Sequence, residues 1–174
     1  MQKNIILFIA VLSWCCLACE PKNPNVDNSG NDELKSLEVT QPIDTGAINF
    51  QDEIYVPIYS DIYIEKSNQK ALLAATLSIR NTSYRDTLFI SKIDYFNTEG
   101  DLVRSYLEGA IRLPPMGTVN YVIERDDDTG GAGANFMVGL SAKNKDIKPI
   151  IQAIMIGHVG NIGFSFATDG YSVK

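Results

Sequence analysis

Beyond about residue 50, apolar and polar positions alternate one for one along most of this chain, the period of a strand with one buried and one wet face. The alternation is clearest where Leu73, Ala75, Leu77 and Ile79 interleave with Thr76, Ser78 and Arg80 before Asn81-Thr82-Ser83 ends the run. Ile54-Tyr55-Val56-Pro57-Ile58-Tyr59 is β-branched and aromatic, and its proline predicts an edge strand or a bulge. Leu88 and Ile90 fall on one parity and Ile93 and Tyr95 on the other, so the spacing predicts one extra residue near Ser91-Lys92 that restores the inward set. Asn97-Thr98-Glu99-Gly100-Asp101 reads as a hairpin turn into Leu102-Val103-Arg104-Ser105-Tyr106. Pro114-Pro115-Met116-Gly117 is a second break, after which Val119, Tyr121 and Ile123 alternate, then Phe136, Val138 and Leu140. Ile150 to Ile156 and Ile162 to Phe166 close the set. Roughly eight or nine short strands without a helical period predict an all-β fold, a two-sheet antiparallel β-sandwich of immunoglobulin-like general architecture.

Upstream the pattern is different in kind. Lys3 is followed by a nearly continuous apolar run from Ile5 to Trp14, long enough for the core of a leader and too short to span a bilayer as a lasting helix. Leu17-Ala18-Cys19 then reads as a bacterial lipoprotein cleavage site, with Cys19 the residue to be acylated. Cys16 departs from the pattern, which has Leu, Val or Ile three places before the modified cysteine. From Cys19 to about Phe50 the chain is polar and aperiodic, rich in Asn, Asp, Pro and Gly, a composition that buries too little surface to offset its ordering entropy. The expected organisation is a leader over 1–18, a flexible tether over 19–50 and one β-sandwich domain over 51–174.

Charge and cysteine content narrow the chemistry. A formal net charge of −6 in 174 residues, with no basic stripe, repels phosphate backbones and makes nucleic acid an unexpected partner. All three cysteines, Cys15, Cys16 and Cys19, lie within or at the edge of the leader. The domain therefore holds no disulfide, thiol nucleophile or cysteine-ligated zinc, and its stability must come from packing.

Four stretches resemble a known family: Tyr55-Val56-Pro57-Ile58-Tyr59-Ser60, Ala74-Ala75-Thr76-Leu77-Ser78-Ile79-Arg80-Asn81, Gly130-Gly131-Ala132-Gly133-Ala134-Asn135-Phe136 and Ala153-Ile154-Met155-Ile156-Gly157. In that order they are similar to an uncharacterised bacterial lipoprotein family, the domain of unknown function numbered thirty-one twenty-four, over about Glu53 to Tyr171. The resemblance implies an envelope address and no activity, ligand or catalytic residue.

Candidate chemistry is sparse. Asp126, Asp127 and Asp128 with nearby Asn135 offer oxygen ligands to a hard cation, although consecutive residues of an extended chain point to opposite faces, and a solvated acidic loop is the simpler reading. The glycines at 130, 131 and 133 lack the Lys-Ser/Thr of a phosphate loop and precede a strand, so they read as a loop needing positive φ or close backbone approach. His158, the sole histidine, has no Gly-x-Ser-x-Gly word to accompany it and reads as a surface turn residue. Tyr55, Tyr59 and Tyr63 recur every four residues, which in one strand is a single face: a binding row if exposed, core if buried. Arg80 and Arg104 suit structural ion pairs, with Asp94 or Glu108 as partners. The sequence thus predicts an envelope lipoprotein, held to the membrane by lipid on Cys19, whose sandwich binds an envelope protein or glycan without catalysis and without a cofactor. A calcium-dependent adhesion or sensing module and a small hydrolase are the alternatives.

Overall fold

The computed structural model describes residues 37–39, 43, 45–66 and 69–174; Cys19, the leader and most of the expected tether lie outside the described residues. Two antiparallel sheets pack face to face. The first holds β1 (Phe50–Pro57), β4 (Leu88–Phe96), β5 (Leu102–Ser105), β6 (Ile111–Leu113), β8 (Asn135–Ala142) and β11 (Tyr171–Ser172), in the order β11-β1-β8-β4-β5 with β6 also on β4. The second holds β2 (Asp61–Tyr63), β3 (Lys70–Arg80), β7 (Thr118–Ile123), β9 (Ile150–Val159) and β10 (Ile162–Asp169), in the order β10-β9-β3-β2 with β7 also on β3. This is the expected β-sandwich.

Inward positions follow the alternation closely. Leu73, Ala75, Leu77 and Ile79 of β3 are sealed from solvent and face Val56, Phe136 and Val138 of the opposite sheet within one core cluster. Each fully buried Leu, Ile or Phe contributes about 1.5–3 kcal/mol, and nothing covalent supplements that burial. The parity switch in β4 is a bulge. Ile90 pairs with Leu140 and Lys92 with Gly139, leaving Ser91 as the extra residue, so Leu88, Ile90, Ile93 and Tyr95 all point inward. Gly139 is fitted to it, because a Cβ there would stand 2.9 Å from Ser91 Oγ. The Asn97 turn is also as read: the Asn97 side chain accepts from the backbone N–H of Glu99 and Asp101, and Gly100 takes φ +88°.

Three expectations need correction. Pro57 does not mark an edge strand as a whole, since β1 runs between β8 and β11, but β11 covers only Ile54 and Tyr55, so the proline ends β1 opposite Asn135 where its other side has no paired strand among the described residues. The chain then crosses to the second sheet as β2, so Tyr55, Tyr59 and Tyr63 do not share a face. Tyr55 is half-buried in the first sheet, Tyr59 packs edge-on against Phe166 at 5.7 Å in the crossing, and Tyr63 stands exposed on β2. Part of the expected tether lies on the domain, where Glu38 bridges to Ile111, Leu37 packs against the core and 45–47 form a turn of 3-10 helix.

One end of the sandwich is closed by a polar hub. The Asn81 side chain, 2% exposed, donates to the carbonyls of Asp86, Leu113 and Pro114 at 2.8–3.1 Å and accepts from the Ser83 N–H. Asp86 completes it, with the Asn144 amide and the Ser83 hydroxyl both donating to its Oδ2 at 2.8 and 2.9 Å. Those two bonds, that from Asn144 foremost, hold the Asp86 carboxyl below the ordinary carboxylate range. A carboxylate whose folded pKa is depressed contributes stability above its unfolded pKa and loses it as pH falls through the folded value. Acidifying from neutrality to below about pH 4 is therefore expected to lower the melting temperature of the wild type more than that of Asp86→Asn, so that the two converge. A gap that stays constant with pH would show that the carboxylate charge is not what the hub uses.

Candidate functional site

At the other end, the segment that crosses between sheets builds a cleft. Ile58 N–H donates to the Ala134 carbonyl at 2.9 Å and Ser60 N–H to the Gly131 carbonyl at 3.0 Å, while Leu73 N–H donates to the Ser60 carbonyl at 2.8 Å. Residues 58–60 thus stitch the glycine loop to β3. Beneath them Ser60 Oγ and Tyr95 OH share a buried hydrogen bond of 2.8 Å. Burial raises the Tyr95 phenol above its ordinary pKa, so it stays protonated at neutral pH, neutral as a buried hydroxyl must be.

Gly130 rests directly on that pair. A Cβ at this position would stand 1.9 Å from Tyr95 OH and 2.7 Å from Ser60 Oγ, so glycine is required here for close approach. At Gly131 the requirement is conformational, with φ +71°. Thr98 ties the loop from the far side: its backbone N–H and its hydroxyl both donate to the Gly130 carbonyl at 2.9 Å, and Oγ1 accepts from the Gly133 N–H, also at 2.9 Å. Thr98 thus fixes the loop, while Asn135 is the first residue of β8, paired with Pro57 and Phe96.

The cleft that results encloses about 600 Å³ between Asp61 and Tyr63 of β2, Lys70 and Leu72 of β3, the Thr98-Glu99 turn and residues 128–133. Asp61 is 4% exposed. Its Oδ2 accepts from Lys70 Nζ at 2.9 Å, and its buried Oδ1 has no hydrogen-bond partner among the described residues. A buried carboxylate oxygen left unmatched is costly, and such groups in folded proteins usually answer to a ligand or a water. The bond to Asp61 lifts the Lys70 ammonium above its ordinary range, so it carries its charge at neutral pH, and it lies 5.0 Å from the centre of the exposed Tyr63 ring. Asp61, Glu99 and Asp128 set three carboxylates against one ammonium, which disfavours anionic ligands.

Of the residues singled out in the sequence, the structure brings Tyr63, Asp128 and the glycines at 130, 131 and 133 to this cleft and leaves the others elsewhere. Asp126 is exposed beside Arg125 at 3.8 Å, and Asp127 turns inward, accepting from the Thr129 N–H and hydroxyl and lying 3.9 Å from Arg104. The three aspartates therefore diverge, and among the described residues no three acidic, histidine or cysteine side chains gather where a metal could sit. Arg104 takes Asp127, not Asp94 or Glu108; Asp94 accepts from the Ser105 hydroxyl and Arg80 leans on Ser78. His158 is exposed on β9 and contacts the Arg125 guanidinium at 3.3 Å, away from the cleft lining. Asp61 and Lys70 carry no signal of their own in the sequence, and Ser60 and Thr98 stand there only within a family stretch and a hairpin turn. A hairpin reading of 61–72 would have paired Tyr63 with Lys70 and set Asp61 diagonal to that lysine, as the register does.

Gly130→Ala tests how tightly the loop is set on the hydroxyl pair. It is expected to cost about 1–3 kcal/mol of unfolding free energy, the range of overpacking, read by denaturant titration. A variant as stable as wild type would mean that the loop lifts freely from Tyr95.

No curated protein matches this chain. A solved structure described as that of Thermotoga maritima 1070 is similar over 71% of this chain and 95% of its own, at 14% identity and a TM-score of 0.41. Residues 51–173, which take in both sheets and the whole cleft, match the family described as protein of unknown function, DUF3124, and the chain belongs to that family.

Proposed function

We propose that this protein is a lipid-anchored module of the bacterial cell envelope whose β-sandwich binds a neutral glycan without catalysis. The observation that carries the binding reading is the buried Asp61 carboxylate, unmatched at Oδ1, in the wall of an open cleft. A sugar hydroxyl is a donor for that oxygen, the Lys70 ammonium is a donor for sugar oxygens, and the exposed Tyr63 ring offers an apolar face for the sugar's C–H groups. Three carboxylates against one ammonium favour a neutral partner over an anionic one. The address rests on Leu17-Ala18-Cys19 behind its apolar run, and the polar segment that follows gives the domain reach from the membrane surface. The absence of His158 from the cleft lining weighs against a hydrolase that works through histidine, and the divergence of Asp126 and Asp127 against the calcium alternative.

Two measurements test the two halves separately. Wild type is expected in the membrane fraction with acyl chains on its N-terminal cysteine by mass spectrometry, and Cys19→Ala in neither state; a soluble, unacylated wild type would remove the anchor. For the cleft, N-acetylglucosamine oligosaccharides titrated into the isotope-labelled chain are expected to shift the amide resonances of Thr98, Gly131 and Ala132. Asp61→Asn, which removes the charge and one acceptor with little change of shape, is expected to weaken that titration by about ten-fold, as the loss of a charge-assisted hydrogen bond does. Shifts of equal size in both proteins, or none in either, would sink the glycan reading.

A further inference from the structure

The second sheet ends in a strand that lacks the usual protections. Edge strands are normally kept from pairing by being short, by carrying charge or proline, or by a bulge. β2, β5, β6 and β11 are two to four residues long, and β7 has six. β10 has eight, and from Ile162 to Thr168 it carries neither charge nor proline. It pairs with β9 in unbroken register from Ile162 opposite Val159 to Asp169 opposite Gln152, and among the described residues β9 is its only strand partner.

The free side is also sterically open. Gly170 N–H donates to Ile151 in the same register, so the even-numbered residues of β10 bond to β9 and Gly163, Ser165, Ala167 and Asp169 turn their N–H and C=O groups outward. Three of those four have the smallest side chains available. The even-numbered side chains, Phe164, Phe166 and Thr168, lie half-buried on the core face.

We infer that β10 pairs antiparallel with β10 of a second copy, about a two-fold axis at Phe166, to make one continuous sheet across two domains. The sequence of the strand selects this occupant and register by charge. With Phe166 opposite its own counterpart, Ser165 faces Ala167 of the other copy and Asp169 faces Gly163. Gly163 lies opposite His158 on β9, where Arg125 also contacts the imidazole. Having no side chain, Gly163 leaves the Asp169 carboxylate of the other copy, which accepts from its own Gln152 through Oδ1 at 2.8 Å, a clear path for its second oxygen toward that imidazole and guanidinium, and two-fold symmetry makes the contact twice. The same register sets the half-buried Phe164 and Phe166 of both copies side by side, removing further apolar surface from water. Anchoring on one membrane, proposed above, would raise the local concentration of copies; the pairing itself needs only β10.

Ser165→Lys places two ammonium groups close to the axis while altering only an exposed side chain. Sedimentation velocity of the purified mature chain in detergent is expected to show a monomer–dimer equilibrium, weakened at least about ten-fold by Ser165→Lys, as like charges across a strand pair require. Adding Ala167→Glu to the same chain is expected to restore it, because the ammonium introduced at position 165 of one copy then faces the carboxylate introduced at position 167 of the other. Melting temperatures of the three proteins, measured where each is monomeric, should agree, which separates loss of pairing from loss of fold. A wild type that stays monomeric over the micromolar range, or a dimer indifferent to Ser165→Lys, would overturn the inference. So would a monomer that gains mass only on crosslinking through position 165 to a different envelope protein, which would give the edge to a foreign strand.

Discussion

The hydrogen bond between Ser60 and Tyr95 is the contact on which the cleft end of this domain depends. It joins the segment that leaves the first sheet to an interior strand of the same sheet, at the point where the chain changes layers. Two hydroxyls satisfy each other there, so a buried polar crossing costs little. The glycine loop rests on that pair, Thr98 binds the loop from outside, and β2 is set at the height that puts Asp61 into the cleft wall. Exchange either hydroxyl for a bulkier group and the loop, the crossing and the cleft must all move together.

The two ends of the sandwich solve one problem by different means. Around Asn81 a single amide collects three carbonyls that the strand ends leave over, and the end is sealed. Around Asp61 the polar groups outnumber their partners, and the end stays open. A domain without disulfides has little reason to leave a buried carboxylate oxygen unmatched unless that end serves something other than stability.

The alternation that gave away β3, β7 and β8 is a statement about one buried face, and it was legible because each of those strands has one face in the core. The bulge at Ser91 was legible for the same reason: Ile90 and Ile93 cannot both point inward without an extra residue between them. Short strands such as β2 and β6 have too few residues to show a period. The tyrosine row misled because spacing of four implies a shared face only within one strand, and the chain changes sheet between Pro57 and Asp61. The cleft was hidden for a related reason. Its residues come from four separate loops and strand ends, and only the hairpin register brings Lys70 to Asp61.

The topology has a kinetic consequence. The strand partners of β1 are β8 and β11, so the first strand of the domain to be synthesised waits for the last residues of the chain before its sheet can close. Long-range pairing of this kind is slow, because loop closure must precede any gain from contact. The local hairpins β2–β3 and β4–β5 can pair as soon as they are made, while β1 stays open until β8 and then β11 arrive. Closure of the first sheet is in that sense a clasp: the segment after β10 locks onto the strand that began the domain, and the order of synthesis sets the earliest moment at which it can do so.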